Sequence, residues 1–193
     1  NYPQPPMPEG AEEGILRGMH LVREASGKGP RVQLMGSGAI LTEVLAAADT
    51  LQDDYGVGAD VWSVTSFTEL RRDGLEADRW NALHPTEDPR VPFVAQQLAG
   101  REGPTVAATD YIRAFPDSIR AYVPGRFDVL GTDGFGRSDW RTRLRGFFEV
   151  DRGHVTVAAL GALAREGVLD PAIAAQAIVR YDIDPEAAPP WQR

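Results

Sequence analysis

Two glycine-bracketed polar turns are the places where this sequence could hold a charged ligand. The first, Gly36-Ser37-Gly38, follows the apolar run Val32-Gln33-Leu34-Met35 and precedes Leu41, Val44, Leu45, Ala48 and Leu51 at helical spacing. Such a turn can aim backbone N–H groups and the positive end of a helix at a phosphate. It lacks the third glycine of a dinucleotide fingerprint and the lysine of a phosphate-binding loop. A plain strand–helix turn is therefore the simpler reading. The second stretch runs Val129-Leu130-Gly131-Thr132-Asp133-Gly134-Phe135-Gly136-Arg137-Ser138-Asp139. Its glycines imply either close backbone approach to something or backbone angles that only glycine tolerates. The simpler alternative is a sharp turn of the chain.

Other constellations fall short of a catalytic set. Gly131-Thr132-Asp133-Gly134 invites comparison with the magnesium–diphosphate motif of thiamin enzymes. That motif opens Gly-Asp-Gly and needs a later asparagine, because magnesium wants several oxygen ligands in octahedral array. Here a threonine intervenes, and the only asparagines, Asn1 and Asn81, lie upstream. His20, His84 and His154 are scattered, without the spacing of a metal pair. His84, beside Trp80 and Glu87, is the most plausible functional histidine. Ser37, Ser66 and Ser138 lie outside any Gly-x-Ser-x-Gly elbow. The adjacent acids Glu12-Glu13 and Asp53-Asp54 point apart and read as solvated surface.

The totals bound the class. A chain of 193 residues can bury a full core in one domain. Its net charge is −8 and its cations are dispersed, so no basic stripe marks a nucleic-acid partner. Without cysteine there is no disulfide framework, Cys-ligated metal or thiol nucleophile, which fits a cytoplasmic protein. No apolar run approaches the ~20 residues that span a bilayer, so no membrane is expected. Residues 1–10 open as a proline-stiffened linker, as if the sequence began partway through a longer protein. Residues 11–184 form the expected domain, and residues 185–193 a proline-rich tail expected to fray.

The elements that position these residues can be read in order. Residues 14–23 read as a strand, and Ser26-Gly27-Lys28-Gly29-Pro30 as a turn that makes a hairpin with the next strand, 32–35. A helix follows over about 41–55, closed by Gly56, then a β-branched strand over 60–65. Ser66 and Glu69 have capping-box spacing for the next helix. The charged segment Arg71 to Pro92 ends in several prolines, and 93–98 is a short helix. Strand 105–110 leads to a helix over 111–122 with Pro116 near its first turn. Strand 127–131 leads through the glycine-rich turn, with Ser138 or Asp139 as cap, to helices over about 139–148, 154–166 and 170–181. Alternating strands and helices predict a parallel sheet with helices on both faces. Four strand ends are polar: Gly36-Ser37-Gly38, Thr65-Ser66, Thr109-Asp110 and Thr132-Asp133-Gly134. Parallel strands would gather them along one rim, where ligands and neighbouring domains dock.

Four stretches carry a resemblance: Met7-Pro8-Glu9-Gly10-Ala11-Glu12-Glu13-Gly14-Ile15, Val61-Trp62-Ser63-Val64-Thr65-Ser66-Phe67-Thr68-Glu69-Leu70, Arg79-Trp80-Asn81-Ala82-Leu83-His84-Pro85 and the glycine-rich stretch above. With them the chain resembles the C-terminal domain of the homodimeric bacterial pyruvate dehydrogenase decarboxylases, over residues 1–184. The resemblance implies a transketolase C-terminal fold: an α/β three-layer domain with a five-stranded mixed sheet, its first strand antiparallel. It implies a parent enzyme, an oxidoreductase, that decarboxylates pyruvate on thiamin diphosphate and magnesium and reductively acetylates the lipoyl group of dihydrolipoyl acetyltransferase. The cofactors would be held by other domains across a homodimer interface. No catalytic, cofactor-binding or metal residue carries over to this sequence. The expected role is structural, with a rim or interface drawn from Ser37, Ser66, Glu69, His84, Asp110, Asp133, Phe135 and Arg137. The alternative is a regulatory module whose rim binds a nucleotide or another anion.

Overall fold

The computed structural model describes residues 5–193, so the expected linker lies partly outside the described residues. Five strands form one sheet: β1 (Met19–Arg23), β2 (Arg31–Gly36), β3 (Gly58–Val64), β4 (Thr105–Ala108) and β5 (Phe127–Leu130), in the order β1-β3-β2-β4-β5. β1 is antiparallel to β3, and the other pairings are parallel. Helices α2 (Leu41–Tyr55), α3 (Phe67–Leu83) and α4 (Phe93–Leu98) connect β2 to β3 and β3 to β4. The chain leaves β2 in one direction across the sheet and crosses back over it to β4. α2 and α3 therefore cover opposite faces.

The two faces follow the period-two alternation of side chains along each strand. Val32, Leu34, Val61, Val106 and Ala108 face α2 and the helix α7 (Arg152–Arg165). Met35, Trp62, Val64, Ala107 and Phe127 face Phe67 and Leu70 of α3, with Phe93 and Val94 of α4. One polar group lies within the second face. The Gln33 amide donates to Asp60 Oδ2 at 2.8 Å and accepts from Trp62 Nε1 at 2.9 Å. Asp60 Oδ1 also accepts the Ala25 N–H at 2.7 Å, which pins the link between β1 and β2.

Three local expectations are corrected. Residues 14–23 are not one strand: Glu12–Arg17 form a short helix, α1, which Gly18 ends with φ 105°. Gly14 is the contact that lets α1 fold back, since a Cβ there would lie 2.7 Å from the Met19 carbonyl oxygen. The turn over 26–30 does not close a hairpin, because β1 pairs with β3 and not with β2. Turn residues reverse the chain, but only packing chooses the neighbour. The expected helix over 111–122 is broken into α5 (Ala114–Asp117) and a 3-10 turn, Arg120–Tyr122.

Helices α6 (Arg141–Phe147), α7 and α8 (Pro171–Arg180) complete the layer over α2. Asp151 caps α7, accepting from the His154 N–H at 3.0 Å, and Asp170 caps α8. Neither Ser138 nor Asp139 caps α6, whose N-cap is Trp140 without a side-chain bond. The layer is held by Glu43 of α2, which is only 5% exposed. Its carboxylate accepts from Arg145 at 2.6 Å and from the Arg152 Nε at 2.9 Å and backbone N–H at 3.1 Å. Burial pushes this carboxyl up, but the hydrogen bonds and charge of Arg152, then the charge of Arg145, bring it below its ordinary value. Glu43→Gln is expected to cost about 3 kcal/mol in chemical denaturation, the low end for breaking a buried pair because Arg152 stays largely in water. Glu43 ionises at lower pH folded than unfolded. Its contribution is full above the ordinary value of 4.5 and is lost as pH falls through the folded one. The variant's stability should therefore decline less steeply on the acid side.

Candidate functional site

The parallel strands bring all four polar ends to one rim, with the change of crossover direction between β2 and β4. That is where a ligand crevice would open in such a sheet. Here it is closed. The Ser37 and Thr109 hydroxyls are buried and hydrogen-bonded to each other at 2.6 Å, and the Ser37 N–H donates to the Ala108 carbonyl. Gly36 leaves no room, since a Cβ there would lie 2.9 Å from Leu41 Cα. The Asp110 carboxylate stands beside Gly38, so the start of the following helix already faces an anion.

The other polar ends are spent internally as well. The Thr65 hydroxyl donates to the Ile15 carbonyl at 2.7 Å, tying α1 to the rim. Ser66 caps α3 by accepting the Glu69 N–H at 3.1 Å. The reciprocal half of the capping box is not formed: the Ser66 N–H bonds Gly18, and the Glu69 carboxylate pairs with Arg72. Thr132 donates to the Asp110 carbonyl at 2.8 Å. Asp133 accepts the Arg113 N–H at 3.2 Å and lies 3.0 Å from its Nε, a charge contact without hydrogen-bond alignment.

The rim presents several aromatic rings to solvent, among exposed polar residues such as Asp110, Arg137 and Asp139. Phe135 is 90% exposed at the centre of an arm over residues 131–140 and Trp140 is 80% exposed at its end; Tyr111 and Phe115 stand beside it, stacked edge to face. Tyr111 and Phe115 line a cavity of about 310 Å³ with Val64, Ser66 and Phe67. A second cavity, of about 320 Å³, lies under the arm between Asp110, Thr132, Ile40 and Phe148, with Arg137, Arg141 and Arg145 at its wall. The three glycines of the arm now separate. Gly131 is needed for close approach, since a Cβ would lie 2.8 Å from the Tyr111 carbonyl oxygen. Gly134 has φ 104° and would bring a Cβ within 2.9 Å of Trp191 Cα. Gly136 faces open space. Arg137 donates to the main-chain oxygen of Arg193 and lies over the Phe147 ring.

His84 is away from this rim. It stacks on Trp80 with centroids 4.4 Å apart, and Arg90 covers the Trp80 ring at 4.3 Å. Its Nδ1 donates to the Trp80 carbonyl at 2.8 Å, since a carbonyl only accepts. Asn81 pins the same segment through both backbone groups of Arg90. His20 has a buried Nδ1 with no partner, and burial lowers its pKa. The residues missed by sequence reading are Tyr111, Phe115, Arg113, Trp140 and Trp191. Only their type, large and aromatic or arginine, could have marked them.

Among the described residues no three His, Asp or Glu side chains stand together as metal ligands. The Asp133 carboxylate is engaged by Arg113. These residues do not fit a magnesium–diphosphate group. No described helix is long and apolar enough to cross a membrane.

The fold and rim define a three-layer α/β domain with a mixed five-stranded sheet and an aromatic face at its strand ends. The chain belongs to the transketolase-like C-terminal domain family, which it matches over residues 18–151. Over 192 residues it is 55% identical to a pyruvate dehydrogenase E1 component of Pseudomonas aeruginosa, covering 98% of this chain and 22% of that one. It is 53% identical over 191 residues to the Escherichia coli K12 protein of that name, covering 98% and 21%. The chain thus spans about a fifth of the length of these relatives. Among solved structures, a transketolase from Leishmania mexicana superposes with a TM-score of 0.53 at 17% identity, covering 79% of this chain and 19% of that one. A split-gene transketolase gives 0.52 at 16%, covering 76% and 42%. Both are likenesses of fold. Calorimetric titration of this protein with nucleoside diphosphates and inorganic diphosphate should give no saturable heat, since the Ser37 and Thr109 hydroxyls bond each other and the Asp110 carboxylate already stands at the helix start; a saturable isotherm would restore the anion-binding alternative.

Proposed function

We propose that this chain works as the C-terminal domain of a pyruvate dehydrogenase E1-type enzyme and performs no turnover by itself. The observation that carries this reading is identity above half to E1 components along nearly the whole chain. In the parent, pyruvate is decarboxylated with thiamin diphosphate and magnesium, and the acetyl unit passes reductively to the lipoyl group of dihydrolipoyl acetyltransferase. The cofactors belong to other domains, which is consistent with the Asp133 carboxylate being engaged by Arg113. The parent is a cytoplasmic homodimer, a location that the absence of cysteine suits.

The role of this domain is docking. Its rim supports that role through Phe135, Trp140, Tyr111 and Phe115, which have large apolar surfaces in water and belong to residue types enriched at interface cores. Ser37, Ser66, Glu69, Asp110 and Asp133 shape the rim from within, while Phe135 and Arg137 meet the partner surface. The rigid Trp80–His84–Arg90 stack supplies a second surface. Residues 11–184 are the domain body.

Mixing the chain with pyruvate, thiamin diphosphate and magnesium should give no carbon dioxide release; measurable turnover would overturn the assignment. In the full-length parent, Phe135→Asp with Trp140→Asp should weaken dimer assembly at least about tenfold by light scattering, the order expected for losing hot-spot aromatics. Unchanged assembly would rule out the rim as the docking surface.

A further inference from the structure

The tail expected to fray is instead packed against the arm. Residues Pro190–Gln192 form a 3-10 turn whose Pro190 is buried. Trp191 lies directly on Gly134, the one arm glycine that has both a left-handed φ and a neighbour at contact distance. Arg113, which also holds Asp133, places its guanidinium 4.8 Å from the centre of the Trp191 ring. The main-chain oxygen of Arg193 accepts from Arg137. The Arg193 side chain pairs with Glu149 at 2.6 Å and stacks over Phe147 at 5.2 Å, on the ring that Arg137 also covers. The tail is thus fastened to the arm at Gly134 and Arg137, and to the body at Phe147 and Glu149.

We propose that Pro190–Arg193 is a latch that presets the arm over residues 131–140, with Trp191 and Arg193 as positioning residues for Phe135 and Trp140. The arm needs such a device. Between Thr132 and α6 it has no strand partner, and the two glycines flanking Phe135 leave its backbone with wide intrinsic freedom. Exposed aromatic groups dock tightly only when their conformation is fixed beforehand, because ordering on contact subtracts from affinity. The consequence for assembly rests on the docking role above; the latch itself does not.

Amide hydrogen exchange tests it. In Trp191→Ala/Arg193→Ala, the amides of residues 132–140 should exchange at least about tenfold faster, while those of β2, β3 and β4 keep their protection and the thermal midpoint is unchanged. Trp191→Phe, which keeps a ring on Gly134, should retain the arm's protection. Equal arm exchange in wild type and the double variant overturns the latch, as does a rise spread evenly over the sheet. The two readings fail separately. If arm exchange responds but Phe135→Asp/Trp140→Asp leaves the parent's assembly intact, docking falls and the latch stands. If assembly needs those aromatics while arm exchange is unmoved, the latch falls and docking stands.

Discussion

The layer that carries the rim depends on one buried carboxylate. Glu43 sits in α2 between apolar neighbours and meets Arg145 of α6 and Arg152 of α7. A lone charge at that depth would be costly, so its two arginines must be in place whenever the domain is folded. This couples α2 to α6 and α7 across 102 and 109 residues of sequence. It also fixes Arg145, in the last turn of α6, at the wall of the cavity beneath the arm. The same logic runs through the chain. Nineteen of its twenty basic residues are arginine, whose planar fork suits paired contacts with carboxylates and aromatic rings.

The strand ends illustrate how polar residues at a switch point need not make a ligand site. A hydroxyl at a strand terminus has few options: water, a ligand or a neighbour. At Ser37 and Thr109 the neighbour wins, because β2 and β4 are adjacent and each supplies one hydroxyl at the same level. Thr65, Ser66 and Thr132 likewise satisfy backbone groups of the segments that cross the rim. The rim also leaves large rings facing water, Phe135, Trp140, Tyr111 and Phe115, and these support the docking role proposed above.

Much of this architecture was legible in the residues. The strands 32–35 and 60–65, the helix at 41–55 with its Gly56 stop and the Ser66 cap all follow from local chemistry that acts within a turn or two. The gathering of four strand ends follows from parallel connectivity alone. One misreading, the strand over residues 14–23, turns on two glycines. Gly14 sits inside α1 because β1 lies against it, and Gly18 ends that helix instead of belonging to a strand. Ser138 and Asp139 looked like caps, yet Trp140 takes that position without a side-chain bond.

By itself the sequence determined the fold class and the absence of a thiol, because each depends on residue type and short-range spacing. The tertiary structure alone decided three things. It placed β1 beside β3, since an edge is chosen by the packing of whole strands. It turned Ser37, Thr109 and Asp133 from candidate ligand contacts into internal ties, since their partners lie 72 residues away for the two hydroxyls and 20 residues away for Asp133. It also brought Trp191 to Gly134, a contact between segments 57 residues apart by number. No local pattern encodes such a meeting, because its free energy arises only when the two surfaces have already been assembled side by side.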